Sequence, residues 1–358
     1  MKLPPLKIGE LVATVPIIQG AMGVGVSLSK LASAVANEGA IGVISGVQIG
    51  YREDDFETNN SEANIRALRK EIRQARELSP NGILGVNLLV AINNYKEMVM
   101  AAVEEKIDLI ISGAGLPTEL PALVKGSKTK IAPIVSSGKA AALIAKLWQR
   151  KFDYLPDLVI VEGPEAGGHL GFSVEDLQKE SKPDLANIVT EVIEALNPFT
   201  KESGREIPVV AAGGIFNGSD IAKFLKLKAA GVQMATRFVA TEECDAHIAF
   251  KEAYVNAKQE DVQLVKSPVG MPGRAIRNKF LEALEIENQK IKKCYNCLKP
   301  CNPKESPYCI STALIDSVKG DVEKGLIFSG TNAYLIDKIT TVKELIKQLV
   351  VEAEEAYV

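Results

Sequence analysis

Eight short apolar runs, each followed by a stretch of helical periodicity, constrain this chain more than any other feature. The runs cover residues 15–20, 41–45, 83–89, 109–112, 131–136, 158–162, 209–212 and 232–236. Helical spacing of apolar residues follows over 29–38, 63–78, 95–105, 119–124, 139–150, 184–196, 219–227 and, as an eighth, roughly 245–258. Such alternation is the pattern of a parallel α/β fold. The centres of segments such as DLVIVEG and PVVAAGG are unbroken apolar runs, as strands covered on both faces must be. An open doubly wound sheet would alternate in the same way. Two facts favour a closed (β/α)8 TIM barrel: the count of eight, and functional-looking residues at the ends of several strands instead of at one switch point. No G-x-G-x-x-G follows the first run, which argues against a dinucleotide-binding Rossmann domain.

The richest strand end is residues 162–171, EGPEAGGHLG, which holds one of only two histidines in 358 residues. The Gly167–Gly168 turn can bring backbone close to a ligand and present the His169 imidazole beside it. Run seven ends in Gly213 and Gly214 and opens a helix at 217–220; run eight ends in Gln233, Met234, Ala235 and Thr236. Barrels hold phosphate with the loops after strands seven and eight, where exposed backbone N–H groups and a helix N-terminus attract an anion. The competing explanation is close packing of small residues. Asn87 and Glu162 are polar groups within or at the end of apolar runs, and buried polar groups need partners; Ser136 ends run five.

Taken in order, PIIQGAMGVGVS (16–27), EGPEAGGHLG, PVVAAGGI and GVQMATRF resemble the nitronate monooxygenase family, formerly called 2-nitropropane dioxygenases. The flavin-dependent enoyl-acyl-carrier-protein reductases of bacteria share most of this pattern. The resemblance spans roughly residues 5–280. It implies an FMN-dependent oxidoreductase in which Ala21, Met22 and Gly23 pass along the isoalloxazine ring. Asn87, Ser136, Glu162, Gly167, Gly168, Gly213, Gly214, Gln233, Met234, Ala235 and Thr236 then complete the cofactor site, with His169 as general base. Many members have glycine where this chain has Ala235; a methyl group still lets the backbone amide reach phosphate. For a nitronate, the implied reaction with O2 yields a carbonyl compound and nitrite. For an enoyl thioester, NAD(P)H would supply the reducing equivalents. A non-catalytic flavin or thiol redox sensor is the alternative from another class.

The chain departs from its better-known relatives in KKCYNCLKPCNPKESPYCI, where Cys294, Cys297, Cys301 and Cys309 lie within 16 residues. Thiolates so spaced can converge on a [4Fe–4S] cluster or zinc, or remain free redox-active thiols. The polar insertion at 47–62 falls between strand two and its helix, where it can form part of a lid. The expected division is a barrel over 1–262, an active-site loop and cysteine insert over 263–325, and a segment packing back over 326–358. With 42 basic and 45 acidic residues interspersed, no basic face forms, so nucleic acid is not an expected partner. No segment supplies 18 apolar residues in a row, so no membrane span is expected and a reducing cytoplasm is. A homodimer remains open.

Overall fold

The computed structural model describes residues 1–179 and 183–358. Eight parallel strands close into a barrel: β1 (Ile17–Gln19), β2 (Ile41–Ser45), β3 (Ile83–Leu89), β4 (Leu109–Gly113), β5 (Lys130–Val135), β6 (Val159–Glu162), β7 (Val209–Ala212) and β8 (Gly231–Met234). β8 closes on β1 with Val232 opposite Ile17. Side chains alternate across each strand. Ile18, Val43, Ile111, Ile160 and Val210 fill the interior, while Ile17, Ile44, Ile110, Val161 and Ala211 pack outward on the helices. Both sets are buried, so the runs read as continuously apolar. An antiparallel hairpin, Leu6–Ile8 with Leu11–Ala13, adds Leu6, Ile8 and Ala13 to the interior.

The outer ring holds α1 (Ser29–Asn37), α2 (Asn60–Leu78), α3 (Tyr95–Glu104), α4 (Leu120–Leu123), α5 (Gly138–Phe152), α6 (Leu185–Ser203) and α7 (Gly218–Lys226). Packing is close enough that a Cβ on Gly42 of β2 would stand 1.8 Å from the Ala32 carbonyl oxygen of α1. α6 runs past its expected end with Pro198 inside it, because its face of Val189, Val192 and Leu196 is buried; Gly204, at φ +66°, stops it.

The eighth helix is not the expected one. Residues Ile248–Val255 do form a helix, but Phe250 and Tyr254 join a second apolar cluster with Val24, Val26, Ile315, Val318 and Ile327. The ring is completed by α8 (Val342–Ala356), which packs on α7 and α1 through Val342, Leu345, Ile346, Leu349 and Ala353. That stripe matches the barrel surface, whereas Ile248–Val255 buries only Phe250, Lys251 and Tyr254. Residues 235–341 are therefore one long excursion between β8 and α8. Loops that follow barrel strands emerge at the carboxyl-terminal face, so topology delivers the excursion to the mouth of the barrel. After the helix Ile248–Val255 it forms a hairpin, Val262–Lys266 and Pro272–Ile276, to which Gly168–His169 adds as a third antiparallel strand.

Candidate active site

A cavity of about 470 Å³ opens at the carboxyl ends of the strands, within the range usual for small-molecule sites. The structure brings to its wall Ala21, Met22, Gly23, Asn87, Ser136, Glu162, Gly167, Gly168, His169, Gly213, Gly214, Gln233, Met234, Ala235 and Thr236. The side chains of Asn87, Ser136, Glu162, Gln233 and Thr236 make no hydrogen bond among the described residues. Polar groups in such a place are normally paired. These face the cavity with their bonding capacity unspent.

One end of the cavity, where the sequence leads us to expect phosphate, is built from the turns after β7 and β8. Gly213 and Gly214 sit at φ +101° and +77°, which glycine adopts without strain. The backbone N–H groups of Gly214, Ala235 and Thr236 find no acceptor among the described residues, and they form a nest for an anion. The expected contribution of the helix N-terminus is not there. Phe216 and Asn217 donate their N–H groups to Asp220, Asp220 donates to Asn217 Oδ1, and Gly218 donates to Glu352 of α8. A local capping box of Asn217 and Asp220 thus takes three of these donors, and α8 takes the fourth, Gly218.

Glu165 was not foreseen in this site. Its Oε2 would lie 2.2 Å from a Cβ on Gly214, so its carboxylate faces any phosphate held there. Replacing it with glutamine removes a like charge, and the Glu165→Gln variant is expected to bind FMN roughly five-fold more tightly. Fluorescence titration of the apoprotein measures this, with the gain shrinking at high salt.

Two titratable groups on the wall are shifted in opposite senses by the same cause. Burial pushes the Glu162 carboxyl up to about 7 and holds the His169 imidazole down at about 4. Both shifts favour the neutral form. Linkage gives them opposite signs. Glu162, raised when folded, withdraws stability as pH rises from its unfolded value of about 4.5 towards 7; His169, depressed when folded, loses its contribution as pH falls from about 6.5 towards 4. In the cofactor-free protein the two nearly cancel. Glu162→Gln is expected to leave a stability that rises between pH 4 and 7, and His169→Ala one that falls, each by on the order of 1–2 kcal/mol once cavity water screens the charge. Denaturant midpoints across that range check both slopes.

The cysteine segment is the roof of this cavity. Tyr295 stacks on Phe56 with centroids 5.3 Å apart, Lys293 pairs with Glu57 at 2.9 Å, and Ile92 bridges to Leu298. Those contacts tie the roof to the 47–62 insertion and to the loop after β3. Cys297, Leu298, Ile310, Ser311 and Leu314 face inward, beside Val47 and Gln48 of the insertion. Asn60 and Asn64 donate to Gln48 Oε1, Gln48 donates to Ser311, and Ser311 donates to Cys297 Sγ at 3.1 Å.

The expected cluster or zinc site is not supported. Cys294 is exposed, Cys301 lies beside Ser306, and Cys309 caps the helix Ile310–Val318; all four, with the buried Cys244, are free. Among the described residues no three His, Cys, Asp or Glu side chains are placed to hold one ion. The spacing permits convergence, but this segment packs against two barrel loops and the four thiols do not assemble into one ligand set. Sequence reasoning also missed Phe250, Tyr254 and Phe328, which add apolar wall from the excursion. Their only signal was apolar character in segments far along the chain. Arg274 donates to the Ala166 carbonyl and Arg277 pairs with Glu282.

The sequence matches the nitronate monooxygenase family over residues 5–352. A probable nitronate monooxygenase of Staphylococcus aureus (strain Newman) is 27% identical over 304 residues, covering 75% of this chain and 77% of its own. The (3aS,4S,5R,7aS)-5-hydroxy-7a-methyl-1-oxo-octahydro-1H-indene-4-carboxyl-CoA dehydrogenase of Mycobacterium tuberculosis is 25% identical, covering 94% of this chain and 92% of its own. The structure of FabK from Thermotoga maritima superposes with a TM-score of 0.73 at 29% identity, covering 95% of this chain and 93% of that one. No helix among the described residues is long and apolar enough to cross a membrane. With a family match along nearly its whole length and an eight-stranded barrel to go with it, the chain belongs to the nitronate monooxygenase family and is an oxidoreductase.

Proposed function

We propose that this protein is an FMN-dependent nitronate monooxygenase acting in the cytoplasm on small alkyl nitronates, with His169 as its general base. The observation that carries the reading is the convergence of unspent polar groups on one cavity. Three unpaired backbone N–H groups (Gly214, Ala235 and Thr236) fit a phosphate. Asn87, Ser136, Glu162 and Gln233 offer donors and acceptors for a ribityl chain and a polar ring edge. When bound, FMN supplies the oxidation of the nitronate and the reaction with dioxygen.

The rest is the work of this chain's residues. His169, neutral above its depressed pKa of about 4, takes the proton from the carbon beside the nitro group of a neutral nitroalkane and so forms the nitronate in place. Ala21, Met22 and Gly23 line the cavity just after β1, where a planar ring can pass; a Cβ on Gly23 would stand 2.1 Å from Val47 Cγ1. Leu298, Ile310, Leu314 and Phe328 exclude water above it.

A second reading, an NAD(P)H-dependent enoyl-thioester reductase, is favoured by one observation: the relative covering 94% of the chain is named for a carboxyl-CoA compound. Turnover separates the two. Oxygen uptake with propyl nitronate supports the first, and NAD(P)H oxidation with crotonyl thioester the second. Activity in neither assay overturns both substrate readings. A purified protein that is colourless and takes up no FMN overturns both enzymes.

A further inference from the structure

His169 is held from two directions, and both holds come from the excursion after β8. Its backbone is the edge strand of the Val262–Lys266/Pro272–Ile276 hairpin, with His169 opposite Gly273 and the Leu170 N–H donating to the Pro272 carbonyl at 2.8 Å. Its ring is fixed by the turn of that same hairpin, where Ser267 Oγ lies 2.6 Å from Nε2. Phe328 closes the other side edge-on, with ring centroids 5.0 Å apart.

The two ring nitrogens therefore differ. Nε2 faces Ser267, which is not among the residues of the cavity wall, while His169 is. Nδ1 has no partner among the described residues. The Val269 N–H also points at Ser267 Oγ, at 3.4 Å, and the oxygen keeps a second lone pair that can accept from Nε2. A neutral imidazole carries one N–H and one lone pair, and the partner of one nitrogen decides the character of the other.

We propose that Ser267 is the positioning residue of the reaction: its Oγ accepts the Nε2–H of His169, which fixes the tautomer and leaves the Nδ1 lone pair as the base that meets the substrate. The inference rests on His169 acting as proposed above. Ser267 itself touches no reacting atom. Its part is to prevent the ring from turning and from moving its proton to the nitrogen that must stay bare.

The chain has only two histidines, His169 and His247, so nitrogen-15 labelling of histidine in the FMN-loaded protein gives two resolvable ring systems. Long-range nitrogen–proton correlations report the tautomer directly. The expected result is a single Nε2–H form for His169 in the wild type, a mixture in Ser267→Ala and the single form again in Ser267→Thr. A wild-type Nδ1–H form, or a tautomer unchanged in Ser267→Ala, overturns the proposal.

Kinetics supply the second readout. Ser267→Ala is expected to lower kcat/KM for a neutral nitroalkane by roughly 10–100-fold, with FMN affinity unchanged, little loss toward a ready-made nitronate, and recovery in Ser267→Thr. Equal kcat/KM for wild type and Ser267→Ala also overturns it. If His169→Ala retains full activity while the tautomer still follows Ser267, the base assignment fails and the structural hold stands.

Discussion

The His169→Ala variant is expected to fold, keep its cofactor and lose roughly 10²–10⁴-fold in kcat/KM toward a neutral nitroalkane, the range that a positioned general base commands. A nitronate has already lost the proton that the base removes, so the same variant should lose much less with propyl nitronate. The pH profile carries a second mark. Burial holds the imidazole down at about 4, so it stays in its basic form throughout the neutral range. Protonation as pH falls through that value removes the base, and the acid limb of kcat/KM is expected near pH 4 instead of near 6.5. Unchanged kcat/KM with the nitroalkane takes His169 out of the mechanism.

Gly214→Val is expected to weaken FMN binding by roughly 100-fold or more, through loss of one or two charge-assisted hydrogen bonds to phosphate. The residue sits at φ +77°, where a β-branched side chain is strained. A Cβ there would meet Glu165 Cβ at 3.0 Å as well as its carboxylate. The turn must shift, and its N–H leaves the nest it shares with Ala235 and Thr236. Circular dichroism should show an intact barrel, because the position lies beyond the end of β7. The milder Gly214→Ala keeps the test open should valine impair folding. Wild-type FMN affinity in both variants places the phosphate elsewhere.

Why the strands were legible is a matter of burial on both faces. A strand such as DLVIV can be placed only in a sheet covered from both sides, and eight such runs can close on themselves. The cofactor end was legible for a related reason: Gly213, Gly214 and Gly167 are where backbone has to come close to something. Asn87 and Glu162 stood out as polar groups with no local partner.

The eighth helix misled because amphipathic periodicity says that a face is buried and not against what. Both Ile248–Val255 and α8 carry apolar residues, and only the fit of Leu345, Ile346 and Leu349 against α1 and α7 chose between them. Once α8 took that place, Glu352 reached the first turn of α7 and took the Gly218 N–H, one of the donors expected for phosphate.

By itself, then, the sequence determined the barrel, the order of its strands and the residues at their carboxyl ends, because those follow from local burial patterns and from glycine at positions of close approach. Only the tertiary structure decided what lies above them. The roof made by Cys297, Leu298 and Ser311, the hold of Ser267 on His169 and the carboxylate of Glu165 beside Gly214 all join segments distant in sequence. Such contacts depend on how a 235–341 excursion folds over the barrel mouth, and no periodicity or spacing within the segment encodes which surface it will meet.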